Sequence, residues 1–192
     1  MKLPLFAAFA AVSLVAPAAG ADVLNSVRLG VMDHNIRVID DKNADKESGA
    51  NINGELRFNS PKFLGVIGAP HPYVMGSVNT DGNTSYGAVG LEWDWEFASG
   101  WHLEPGFGYA LHDGELEAPY PDSDPRTGPF LEDHVLLGSR DLFRSSLALT
   151  LDFSETWGMQ LIYEHLSHGQ ILGSGHNQGL DELGVRLVYN FN

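Results

Sequence analysis

One pattern constrains this chain more than any other: apolar and polar residues alternate along stretch after stretch. Within 85–97, Val89, Leu91, Trp93, Trp95 and Phe97 are large and apolar, while Ala88, Gly90, Glu92, Asp94 and Glu96 are small or acidic. Trp101 to His112 repeats the pattern, with Trp101, Leu103, Phe107, Tyr109 and Leu111 set against His102, Glu104, Gly106, Gly108, Ala110 and His112. Leu147, Leu149, Leu151 and Phe153 alternate with polar positions, as do Leu183, Val185, Leu187, Tyr189 and Phe191. Successive side chains of a strand point to opposite faces, so a period of two predicts strands with one apolar face. A soluble sandwich alternates too. Here the polar face carries charges on nearly every strand, and aromatics gather near strand ends. A polar lumen and interfacial aromatic girdles have that pattern.

The spacing predicts eight strands, at about 24–36, 48–60, 71–79, 85–97, 101–113, 136–153, 156–168 and 180–191. The expected fold is therefore all-β, an eight-stranded antiparallel transmembrane β-barrel. A barrel of this size is filled by side chains and has no open pore. The stretches 37–47, 80–84, 114–135 and 169–179 would face outside. Tight turns near Ala98-Ser99-Gly100 and Ser154-Glu155 would face the periplasm. The segment 61–70 is long for such a turn. Residues 114–135, rich in Pro, Asp and Glu, read as a flexible external loop.

Export is expected as well. Met1-Lys2, the apolar Leu3 to Val15 and the small residues Ala19-Gly20-Ala21 form a secretory signal over 1–21, leaving 22–192 as the barrel. No apolar run beyond residue 21 is long enough for a membrane helix. The chain has no cysteine, so no disulfide supports the exported domain. A net charge of -14 argues against a nucleic-acid partner. No phosphate-binding glycine loop, helical metal motif or cysteine cluster is present.

The candidate chemistry lies near the C-terminal end, in Tyr163-Glu164-His165-Leu166-Ser167-His168-Gly169. Residues two apart on a strand share a face about 7 Å apart, so the His165 imidazole can reach the Ser167 hydroxyl. A carboxylate on the next strand could hold the other ring nitrogen, as a serine nucleophile requires. Parity selects Asp181 over Glu182, because Asp181 shares the apolar, lipid-facing parity of His165 and Ser167. Two readings stand for polar groups there. They serve a lipid substrate reached sideways through the outer leaflet, or they lie in the headgroup layer, where polarity costs nothing. A metal site over His165, His168 and His176 lacks a supporting carboxylate spacing, and solvated loop histidines are the simpler account. A non-catalytic barrel acting through its acidic loops is the alternative to an enzyme.

His165-Leu166-Ser167, followed by Asn177-x-Gly179-Leu180-Asp181 and a terminal strand, resembles the outer-membrane lipid A 3-O-deacylases (PagL type). Arg28-Leu29-Gly30-Val31-Met32-Asp33-His34 and Ile52-Asn53-Gly54-Glu55-Leu56 resemble the family's opening strands. The resemblance implies an integral outer-membrane esterase that removes the 3-position acyl chain of lipid A. His165 would be general base, Ser167 nucleophile and Asp181 third member. No dedicated cofactor is implied, though divalent cations could bind with the lipid phosphates. Two departures stand out: the family's acid is usually Glu, and it usually has Asn after the serine, serving the oxyanion hole. His168 holds that position here and is expected to donate to the oxyanion, together with the Gly169 amide.

Overall fold

The computed structural model describes residues 23–36, 43 and 46–191. The expected signal segment lies outside them. Nine strand segments run in chain order: β1 (Leu24–Asp33), β2 (Ala50–Phe58), β3 (His71–Asn79), β4 (Tyr86–Glu92), β5 (Trp95–Ala98), β6 (Trp101–His112), β7 (Asp141–Asp152), β8 (Trp157–Ser167) and β9 (Leu180–Asn190). Each pairs antiparallel with its neighbours; β1 pairs with β9 and β4 with β6, which closes the sheet on itself. β4 and β5 are two parts of one barrel strand. Glu92 pairs with Gly106 and Trp95 with Leu103, so the register runs unbroken across the gap. The gap faces Pro105, which accepts from the Trp93 N–H at 2.9 Å but has no N–H to return. Counted this way, the barrel has eight strands, as the alternation predicts.

The parity of every strand becomes inside or outside. Leu29, Val31, Ile52, Val89, Leu147, Leu161, Val185 and Leu187 face outward and are exposed. Trp95, Phe97, Trp101, Phe153, Trp157 and Tyr189 ring the end with the short turns, and Trp157 meets Tyr189 edge-on at 4.9 Å. An apolar belt with an aromatic girdle is the surface a bilayer solvates.

Inside, the lumen is a closed network of ions. Arg28 bonds Glu55 at 3.1 Å, Glu92 at 2.7 Å and Glu104 at 2.7 Å. Arg186 reaches Glu55 at 2.9 Å, and Arg144 reaches Glu164 at 2.7 Å. Arg57 bonds Glu104 and, at 2.7 Å, Asp94. These guanidinium groups are almost wholly buried, so each depends on its carboxylates to offset desolvation. A polar cavity of about 250 Å3 opens at the short-turn end beside Arg57, Asp94, His102 and Asp152.

Two stretches differ from expectation. The predicted strand over 136–153 begins only at Asp141. Val135, Leu136 and Leu137 instead cap the lumen and are fully buried, with Leu137 N–H donating to Glu115 O at 2.9 Å. Their apolar run looks like the start of a strand because a lid and a strand both bury side chains. The loop before them carries a short helix, α1 (Thr127–Asp133). The long turn at 61–70 is taken up by a 3-10 helix, Lys62–Ile67, with Phe63 and Val66 exposed.

Candidate active site

His165 and Asp181 are directly opposed across the β8–β9 ladder. Opposed residues bring their Cβ atoms within about 5 Å, so even the short Asp side chain spans the gap. The His165 Nδ1–H donates to Asp181 Oδ1 at 2.6 Å. With that tautomer, His165 Nε2 accepts from the Ser167 hydroxyl at 3.1 Å. The three residues chosen by spacing and parity therefore form one chain of hydrogen bonds at the outer end of β8. Ser167 and the imidazole are partly exposed on the lipid-facing wall, while Asp181 is only 4% exposed. The arrangement has a free-sided hydroxyl, a base on it and a shielded acid behind the base. Those are the parts that nucleophilic acyl transfer needs.

Gly179 makes room for the ring. A Cβ there would lie 2.6 Å from His165 Cε1, so any side chain would push the imidazole off its position. Asn43 fastens the same residue by donating from Nδ2 to Gly179 O at 2.5 Å. Tyr163, one outward position before His165, donates its hydroxyl to Asp181 Oδ1 at 2.7 Å. Sequence reading missed this contact, because a tyrosine on lipid-facing parity reads as an interfacial aromatic.

The loop after Ser167 corrects one expectation. The His168 ring is fully buried, and its Nε2–H donates to His176 O at 2.8 Å. Its Nδ1 accepts from the Gln170 N–H at 3.2 Å. Its backbone N–H donates to Asn177 Oδ1 at 3.1 Å. His168 therefore fastens the loop and has no donor to offer an oxyanion. Among the described residues the Gly169 N–H has no hydrogen-bond partner in the loop, and Gly169 and Gln170 both have positive φ, 60° and 57°. A non-glycine residue held in that region beside a nucleophile is local strain that the surrounding bonds maintain. Asn177 has its oxygen committed to the His168 N–H. His168 binds the carbonyl of His176 and not its ring, so these two histidines share no metal position. Among the described residues, no group of three His, Cys, Asp or Glu side chains could hold a metal ion.

Gln178 ties this loop to the lumen cap, accepting from the Leu136 N–H at 2.8 Å and donating its own N–H to Leu136 O at 3.2 Å. The cap is held in turn by Glu47, which accepts from the Val135 N–H at 3.0 Å.

The closed barrel, its apolar belt and its polar lumen define an integral outer-membrane β-barrel. The chain belongs to the lipid A 3-O-deacylase (PagL) family, whose profile matches residues 73–190. The crystal structure of the outer membrane enzyme PagL superposes with a TM-score of 0.60 at 14% identity, covering 85% of this chain and 97% of that one, and so shares its fold. The Yersinia pestis outer membrane protein Ail in a phospholipid nanodisc gives a TM-score of 0.46 at 13% identity, over 88% of this chain and 99% of that one. No curated protein matches the chain.

Proposed function

We propose that this protein is itself a lipid A 3-O-deacylase, a serine esterase acting in the outer leaflet, with Ser167, His165 and Asp181 as its reacting set. The observation that carries the reading is the hydrogen-bonded chain from Ser167 through His165 to Asp181 on the lipid-facing wall. A barrel that only spanned the membrane would gain nothing from a polar relay there, where burial against lipid disfavours charge. Membership in the family supports the substrate class.

The chemistry follows from the geometry. Ser167 Oγ attacks the ester carbonyl while His165 Nε2 takes its proton. Asp181 fixes the ring tautomer and balances the imidazolium. The carbonyl oxygen becomes an anion beside the Gly169 amide and the Asn177 amide nitrogen, which serve as its donors. Collapse breaks the ester, and His165 returns the proton to the departing 3-hydroxyl oxygen of the sugar. Water then hydrolyses the acyl-serine by the reverse proton path, releasing the fatty acid.

The test is purified protein in detergent with lipid A, its products read by mass spectrometry. Loss of one 3-hydroxyacyl chain, absent with Ser167→Ala, is expected. Intact lipid A after incubation with folded wild-type protein would overturn the proposal.

A further inference from the structure

We infer that Tyr163 is a positioning residue for the reaction, acting through Asp181; the inference rests on the esterase reading above. Asp181 Oδ1 accepts two hydrogen bonds, from His165 Nδ1–H at 2.6 Å and from the Tyr163 hydroxyl at 2.7 Å. Both donors project from the same face of β8, two residues apart, and the acid comes from β9. The oxygen that orients the imidazole is thus fixed from two directions by one strand.

The terminal torsion of a carboxylate side chain is soft and roughly two-fold, so each hydrogen bond to it narrows the swing of its plane. The Tyr163 hydroxyl narrows it at the same oxygen that His165 holds. Tyr163 itself stands opposite Leu183 and Leu147 across the two ladders. Asp181 is almost fully buried, although its parity points outward. A short acid opposite His165 leaves little slack, and a small tilt of the carboxylate moves the imidazole away from Ser167. Displacements of this size at a reacting group are costly to turnover.

Tyr163→Phe keeps the ring and deletes only the donor. It is expected to lower kcat about tenfold, the scale of losing one hydrogen bond to a charged group, with KM unchanged. A second readout needs no turnover: the far-downfield proton resonance of the His165–Asp181 hydrogen bond, recorded in detergent micelles. In Ser167→Ala that resonance is expected to persist while deacylation vanishes. In Tyr163→Phe it is expected to shift or broaden. Unchanged kcat, a change in KM alone, or an unmoved resonance would overturn the inference. Absence of deacylation by the wild-type chain would instead count against the esterase reading, while the resonance would still decide whether Tyr163 fixes the acid.

Discussion

Two consecutive rungs of one ladder carry opposite kinds of polarity. Glu164 faces Glu182 across β8–β9, and on the next rung His165 faces Asp181. The first pair points into the lumen, where Tyr86 lies 2.8 Å from both carboxyl groups, Arg144 bonds Glu164 and His34 bonds Glu182. The second pair points toward lipid, and its relay ends at a partly exposed serine hydroxyl. The lumen network is closed: its carboxylates are answered by cations, and the result is a filled wall. The outer rung is open at one end, and that open end is where a substrate could be engaged. Parity alone, a shift of one residue, separates charge used to hold the barrel from charge available for chemistry.

The sharpest way to break this contrast is to strike each rung separately. Ser167→Ala or His165→Ala is expected to reduce deacylation by at least about 10,000-fold. The heat-modifiable electrophoretic mobility of the folded barrel should be unchanged. Striking the lumen should do the reverse. Arg28→Met leaves Glu92 without the 2.7 Å partner it has now and strips Glu55 and Glu104 of one of theirs. It is expected to cost roughly 3–5 kcal/mol of stability by urea unfolding, because buried carboxylates lose their cation. Molecules that remain folded should retain near-normal turnover.

The lumen also has a pH signature. Burial of His34, just past β1, opposes its charge, but hydrogen bonds to Glu182 and Glu47 outweigh that and raise its pKa to about 9. Glu47 is held below the usual carboxylate range: burial opposes this, but its bonds to His34, Thr84 and Val135 prevail. A folded pKa above the ordinary value of 6.5 means that the contribution of His34 is full below that value and is lost as pH climbs through about 9. The urea midpoint should fall across that window, by up to roughly 3 kcal/mol in free energy. His34→Gln should flatten the profile; a slope that survived the substitution would assign it elsewhere. A smaller effect is expected at Gly179, where Gly179→Ala displaces the His165 ring. Turnover should drop about 10- to 100-fold with the urea midpoint little changed. Full activity in that variant would mean that the ring has more room than the geometry gives it.

Much of this was legible in advance, for a physical reason. In a small closed barrel each residue is inside or outside, so alternation reports both strand and facing. Choosing Asp181 over Glu182 needed only that parity. Features governed by the loops were not legible. Leu136 and Leu137 read as strand because their burial in a lid leaves the same apolar trace. His168 matched the position of a family donor, but its partners, Gln170, His176 and Asn177, are set by how the loop folds back. Pro105 broke a strand without shifting its register. Tyr163 was hidden by its own parity, since a lipid-facing tyrosine needs no further account until its hydroxyl is seen on Asp181.

The central claim, that the outward rung performs hydrolysis on lipid A, is tested most directly by mass spectrometry of lipid A from outer membranes carrying the wild-type chain or Ser167→Ala. The account requires lipid A short of one 3-hydroxyacyl chain with wild type and intact lipid A with the variant, both proteins being folded and inserted. The same shortened lipid A from both would contradict it, placing the chemistry away from Ser167.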